Sequence, residues 1–337
     1  MIVSSSIGSA VISPRFILVN PMRLVNNARG GWFLVDSIAC PAVYFYKGKE
    51  DAVSPLRRKM NPDSEILHMI VAFLAGVFMA IAPLCVSSQE RSFLLSKEEA
   101  RLFLLEAKVI QSERIGKGLT NPWRLTLSAD GLTHDASFQD VDVRTQEAGF
   151  AGGGRELNFA DSFHFNIAAY ELASLLGVDD MVPITVEREW EGKKGSLSWW
   201  VDDIKMDEEE RVKRAISPPD SHSWNNQMHR IRVFSQLIYD TDRNVQNILI
   251  TGDWKLWIID FTRAFRTIRE LPEEEDLLKC ERGLYDRLQK IGKDAVSRAV
   301  GGHLTRWEVE ALMARRDLIV KRFQKLIREN GELKVLY

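Results

Sequence analysis

Cysteine is nearly missing from this chain. Its 337 residues hold three, Cys40, Cys85 and Cys280. Only Cys280 falls in the part with the pattern of a folded domain, so no intramolecular disulfide can staple that part. Histidines are also few, and His134, His164, His222, His229 and His303 show no close-spaced pairing with cysteine or carboxylate of the kind that builds a zinc site. They read as surface or satisfied polar residues. Neither sign of charge is in excess: 45 Lys and Arg against 47 Asp and Glu leave a formal charge of −2 and a pI near 6.4. That balance removes the electrostatic case for a nucleic-acid partner. Residues 1–59 lack any sustained hydrophobic period, mixing short apolar runs with Pro and Gly, and read as a poorly ordered extension.

A long apolar run follows. From Ile66 to Val86 the chain is broken only by His68, Gly76 and Pro83, and about 20 such residues suffice to cross a bilayer. Arg57-Arg-Lys59 precedes the run, and Gln89-Glu90 comes before the next Arg, a charge order that sends the rest of the chain away from the cytosol. Val86-Ser-Ser88 offers small residues for cleavage. Residues 60–88 are therefore expected to be either a cleaved signal peptide or a retained signal-anchor, with a membrane as partner through residues 66–86 if uncleaved. A buried core helix is the third reading, weakened by the length of the run and its lack of a polar face. Leu84-Cys85 fails as a lipid-attachment site because Leu stands where a small residue is needed. Since signals open a chain, Met60 or Met69 is expected to be the initiator, with residues 1–59 an upstream extension.

The densest chemistry lies at Asp240-Thr-Asp-Arg-Asn-Val-Gln-Asn-Ile-Leu-Ile250 and Trp257-Ile-Ile-Asp-Phe261. Met228, Ile231, Phe234, Leu237 and Ile238 give the preceding segment, Trp224 to Tyr239, a helical period. After it, Ile248-Leu-Ile, the turn Thr251-Gly-Asp253 and Leu256-Trp-Ile-Ile read as a hairpin. The sequence thus orders a helix, a loop with Asp242 and Asn247, a hairpin, and Asp260 at its exit. Phosphoryl transfer needs a carboxylate to orient the attacking hydroxyl, plus an amide oxygen and a second carboxylate to hold Mg²⁺. Asp242, Asn247 and Asp260 match that set.

Asp242-Arg-Asn-Val-Gln-Asn247 with Ile259-Asp-Phe261 resembles the catalytic and metal-binding loops of phosphatidylinositol 3-/4-kinase-like and HipA-like atypical kinases. The His-Arg-Asp start of ordinary protein kinases is missing, and Thr262 stands where Gly often follows Asp-Phe. The resemblance implies an α+β, two-lobed protein-kinase-like fold with a strand-rich N-lobe (residues 100–201) and a helical C-lobe (202–337). It implies Asp242 as catalytic base, Asn247 and Asp260 as ligands of Mg²⁺ or Mn²⁺, and ATP as donor. The acceptor, whether protein, lipid or small molecule, stays open.

The upstream segment departs from that pattern. Glu106–Ser112 and Trp123–Ser128 read as strands around Ile115-Gly-Lys-Gly-Leu-Thr120, where Gly116 and Gly118 allow backbone amides to approach phosphates and Lys117 offers a cation. An ordinary hairpin turn accounts for the same residues. Gly152-Gly-Gly-Arg155 reads as a flexible loop before a helix. In the next strand, Asp135 to Asp142, a kinase would carry a phosphate-contacting Lys, and here Gln139 is the best-placed residue. The following helix, starting near Asp161-Ser162, carries Asn166 where a kinase has Glu. Glu171 lies about 140° around the helix and cannot serve. Gln139 and Asn166 would then replace an ion pair by an uncharged, hydrogen-bonded one, at a cost of about 1.5–3 kcal/mol in phosphate contact.

The strands Met181–Glu187 and Gly195–Val201 come next, bringing Trp199, Trp200 and Val201 toward the expected adenine side, although core packing also explains the tryptophans. Met206–Arg214 reads as a solvated helical face, and Ile216–Ser223 as a loop around two prolines. Arg315, Arg316, Lys321, Arg322, Lys325 and Arg328, interleaved with Leu312, Leu318, Ile319, Phe323 and Leu326, read as a closing amphipathic helix with a basic outer face. Two functions fit: an ATP- and metal-dependent phosphotransferase, or a weak or inactive pseudokinase kept as an exported binding module.

Overall fold

The computed structural model describes residues 23–26, 32–35, 95–116, 122–149, 155–241 and 245–337. The chain divides into two units, residues 1–82 and 83–337. In the first, β1 (Arg23–Asn26) pairs antiparallel with β2 (Trp32–Val35). The apolar run 66–86 and its flanks lie outside the described residues. Among those described, no helix is long and apolar enough to cross a membrane.

The second unit opens with a device the sequence analysis passed over. Ser96 accepts from the Glu99 amide at 3.3 Å and the Ser96 amide donates to the Glu99 carboxylate at 2.8 Å, a capping box that starts α1 (Lys97–Glu106). Such a cap is worth about 1 kcal/mol. Phe103 and Leu104 of α1 cover a five-stranded antiparallel sheet in the order β3 (Lys108–Arg114), β4 (Trp123–Ala129), β5 (Leu132–Gln139), β9 (Lys193–Trp199), β8 (Thr185–Trp190). Leu125, Leu127, Ala136, Phe138 and Leu197 fill the core between them. Period-two burial along β4 and β5 puts these residues on one face.

Between β5 and the first long helix lies a hairpin, β6 (Asp142–Gly149) and β7 (Arg155–Ser162), in register from Asp142↔Ser162 to Gly149↔Arg155. Of the expected loop 152–155, residues 152–154 lie outside the described residues, and Arg155 begins a strand rather than leading into a helix. Exposure along nearly all of β6 hid the hairpin, since there is no buried face to write an alternation. Ser162 ends β7, its hydroxyl donating to Asp142 at 2.7 Å. The helix α2 (His164–Leu176) therefore starts slightly later than expected. It closes on Gly177 at φ 66°, where a Cβ would lie 2.7 Å from the Arg287 guanidinium.

The remaining elements form the helical part. β10 (Ile204–Asp207) feeds α3 (Glu208–Lys213), so the first residues of the expected helix 206–214 instead pair with β11 (Ile248–Thr251). Asp220 caps α4 (Ser221–Ile238). β11 and β12 (Leu256–Ile258) form the expected hairpin. Then come α5 (Arg282–Lys290), α6 (Lys293–Val300), α7 (Arg306–Asn330) and α8 (Glu332–Val335). One core joins α2, α4, the β11–β12 hairpin and α7 through Phe165, Leu172, Phe234, Ile250, Phe265 and Phe323.

The outer-face reading of α7 needs one correction. Arg315 is fully buried. Its Nε donates to the Leu237 carbonyl at 2.8 Å, while one terminal nitrogen donates to Arg266 O at 2.9 Å and to Ile268 O. Burial lowers its pKa to about 10, so the guanidinium stays charged at neutral pH, with Nε and one terminal nitrogen held by backbone carbonyls and the other terminal nitrogen buried without a hydrogen-bond partner among the described residues. A basic residue at a helical position facing inward is indistinguishable in sequence from one facing out when its neighbours on either side are apolar.

Candidate functional site

The site is assembled where the end of β5, the inner face of α2 and the exit of β12 meet. Gln139 is the last residue of β5 and is paired with Ser196 of β9. The neighbouring Gly195 allows close strand approach: a Cβ there would lie 2.4 Å from the Gln139 carbonyl oxygen and 2.6 Å from the Phe138 ring. Asn166, on the first turn of α2, is 3% exposed. Its Nδ2 donates to Gln139 Oε1 at 2.5 Å and to Ser196 Oγ at 3.0 Å. Its Oδ1 accepts from the Phe261 amide at 2.8 Å. Gln139 and Asn166 therefore make the uncharged contact expected from the sequence. Glu171 points elsewhere, to Arg101 at 2.7 Å.

Asp260 stands next to this pair. Gln139 Nε2 donates to Asp260 Oδ1 at 3.3 Å and Thr262 Oγ1 donates to the same oxygen at 3.2 Å. The amide of Gln139 thus has a forced orientation, oxygen toward Asn166 and nitrogen toward the carboxylate; a flip would break both contacts. Asp260 has φ 57°, a left-handed conformation that costs a non-glycine residue about 1–3 kcal/mol and that concentrates at functional sites. The surroundings hold it there: Phe261 N is fixed by Asn166, and the Thr262 carbonyl accepts from Ser162 N at 2.8 Å.

Asn247 is joined to the same place through the hairpin, its carbonyl accepting from Ile259 N at 3.1 Å. With Asp260 it offers amide and carboxylate oxygens, the hard donors that Mg²⁺ and Mn²⁺ prefer, so the residues present fit such a metal. Asp242 lies outside the described residues, but its flanks do not. Tyr239 closes α4 in a left-handed conformation at φ 48°, Phe265 N donates to Ile238 O at 2.6 Å, and Thr241 Oγ1 donates to Arg263 O at 2.9 Å. The segment entering position 242 is thereby laced to the segment leaving Asp260, and Arg315 ties both from beneath.

The other expected contacts are more dispersed. Gly116 is described, exposed and at φ 26°, with Ile115 N donating to Pro122 O at 3.0 Å across the turn; Lys117 and Gly118 lie outside the described residues. Trp200 follows β9, its amide donating to Asp135 O at 3.1 Å and its ring 4.5 Å from the Arg124 guanidinium. Trp199 stacks on His134 at 3.9 Å, and His134, only 7% exposed, meets Asp202 at 2.8 Å. His134 is thus a buried, paired residue rather than a surface one. Sequence inspection also missed Ser196, the second acceptor from Asn166; its place on a strand beside Gly195 gave no chemical signal.

No family model matches the chain, and no curated protein matches it in sequence. Solved structures do. The Fam20 protein of hydra, determined with sugar, aligns with a TM-score of 0.54 at 13% identity over 71% of this chain and 91% of its own. The Golgi casein kinase with Mn/ADP bound aligns with a TM-score of 0.52 at 14% identity over 86% of this chain and 96% of its own. The likeness does not single out the phosphatidylinositol 3-/4-kinase-like or HipA-like family that the loop motif resembles. What stands is the coarser statement: a strand-rich sheet region followed by a helical region, in an atypical kinase-like fold.

Proposed function

We propose that this chain is an ATP- and divalent-metal-dependent phosphotransferase acting on a hydroxyl acceptor. The observation that carries the reading is Asp260, a carboxylate in a strained conformation, beside Asn247 in the chain fold and in contact with Gln139 at the place where sheet, helix and hairpin converge. The likeness to a kinase solved with Mn and ADP supports it. Asn247 and Asp260 would hold the metal, which when bound neutralises phosphate charge and fixes the donor. Asp242 would accept the hydroxyl proton of the acceptor, and the Gly116–Gly118 turn with Lys117 would face the phosphates. The acceptor class, protein, lipid or small molecule, is left open by the loops that would select it.

The full chain is to be melted with and without ATP and Mg²⁺ or Mn²⁺, beside Asp260→Ala. Ligand at about 100 times its Kd adds roughly 2.7 kcal/mol. A metal-dependent rise that vanishes in the variant supports the nucleotide site; no rise in the unaltered chain refutes it.

One observation favours a second reading. The contact from Asn166 through Gln139 to Asp260 is built from two amides and a carboxylate where a kinase would have a Lys–Glu ion pair, so nucleotide could be retained without turnover in a pseudokinase that binds a partner. Phosphorylation of an acceptor that is lost in Asp242→Ala excludes that reading. We further infer work outside the cytosol, from the charge order around residues 66–86 and from a structural neighbour named for the Golgi. A reporter that is active only after export, fused behind residue 88, must become active for that inference to survive.

A further inference from the structure

Three side chains far apart in sequence meet on the side of α2. His164 opens the helix, Glu187 comes from β8, and His303 comes from the 3₁₀ turn Gly301–His303 between α6 and α7. Their donor atoms all lie within 4.8 Å of one another. The two imidazoles face each other through Nδ1, 3.0 Å apart. Glu187 directs Oε2 to within 3.9 Å of His303 Nδ1, while its Oε1 is 3.4 Å from the Lys194 ammonium. All three are part-buried, which shields the cluster and leaves a side open to solvent.

Two facing Nδ1 atoms cannot both carry protons, so in the bare protein the rings must be opposite tautomers sharing one hydrogen. A cation that takes both lone pairs resolves the same geometry without a proton. Tetrahedral coordination at Zn–N and Zn–O distances near 2.0–2.1 Å places neighbouring donors ~3.3 Å apart. The observed separations bracket that value, and adjustment by a few tenths of an ångström at each histidine, with a larger movement of the Glu187 carboxylate, closes the set. Two imidazoles and one carboxylate suit zinc better than Mg²⁺ or Ca²⁺, which take oxygen.

We propose that His164, Glu187 and His303 form a binding site for a zinc-class divalent ion, separate from the Asn247–Asp260 centre and independent of the phosphotransfer reading. Three protein ligands leave the fourth position to water. The ion joins β8, the first turn of α2 and the turn before α7, and so fixes the helix two residues ahead of Asn166.

The test is titration of the metal-free full chain with Zn²⁺ alone, without nucleotide, and with Co²⁺ for its visible absorption when held tetrahedrally. The expected result is one equivalent per chain. His303→Ala should weaken it by more than about 100-fold, beyond the 10–100-fold typical of losing a residue that only supports a ligand. Glu187→Gln, which keeps the shape, should weaken it and change the Co²⁺ spectrum. Glu332→Ala, in an exposed ion pair with Arg282, should leave both unchanged. Metal-free melting curves that match the unaltered chain show that the variants are folded. Absence of uptake by the unaltered chain, or equal uptake by His303→Ala, overturns the proposal.

Discussion

Replacing Asn166 by Leu tests the polar junction directly, because the two side chains are close in size and only one can hydrogen-bond. Asn166 makes three hydrogen bonds from a position that is 3% exposed. Leu leaves the Phe261 amide without its acceptor and takes the Asn166 donor from Gln139 and Ser196. Each buried group left unsatisfied costs about 1–3 kcal/mol, partly offset by the added apolar contact, so a net loss of about 3 kcal/mol is expected. For a unit of this size that lowers Tm by about 6–12 °C. The assay is thermal and urea unfolding of the full chain, with Glu171→Ala as comparison. Glu171 sits on the same helix in a partly exposed pair with Arg101, where a loss under about 1 kcal/mol is expected. If Asn166→Leu costs no more than Glu171→Ala, the junction does not hold the loop as described.

Other outcomes follow from the same geometry. Gln139→Lys with Asn166→Glu installs the missing ion pair, and nucleotide Kd measured by titration should fall about tenfold or more, the equivalent of one charge-assisted contact; an unchanged Kd would mean that residue 139 does not face phosphate. Gly195→Ala drives a Cβ to 2.4 Å from the Gln139 carbonyl and should cost about 1–3 kcal/mol by strand displacement, seen as a lower urea midpoint; a neutral result would show that β9 can move aside freely. Asp180 is raised by burial, but its hydrogen bond to Arg230 and that residue's charge outweigh this and leave its pKa below 3.8. A depressed carboxyl contributes stability that is present above the unfolded value and lost as pH falls through the folded one. Asp180→Asn should therefore lower stability at neutral pH and flatten the acid limb of the unfolding curve below pH 3.8; parallel acid limbs would contradict the pairing.

The junction was legible although its members are 27, 95 and 121 residues apart, because each sits in a locally patterned element and the kinase-like resemblance said which elements meet. That resemblance put Gln139 on a strand and Asn166 on the helix after it, and the spacing from Asp240 to Phe261 gave the hairpin that delivers Asp260. Features set by long-range contact alone were not legible. Nothing near position 315 says that three backbone carbonyls from two other segments await it, and nothing near His164 announces Glu187 or His303. The β6–β7 hairpin failed for a different reason: an exposed ribbon has no inside to record. The capping box Ser96-Lys-Glu-Glu99 was readable and was overlooked, as the apolar pattern of α1 is short.

Arg315 also bears on when the centre can exist. It anchors the carbonyls of Leu237, Arg266 and Ile268, segments synthesised well before it. A chain still emerging from the ribosome therefore has the end of α4 and the segment after Asp260 without the anchor that ties them together. Sheet, α2 and hairpin can form earlier, but the centre itself is completed only when α7 folds back over α4. If the centre binds nucleotide as proposed, a nascent or C-terminally clipped chain should be unable to engage it, and the protein would pass through synthesis, and through any translocation, in a silent state.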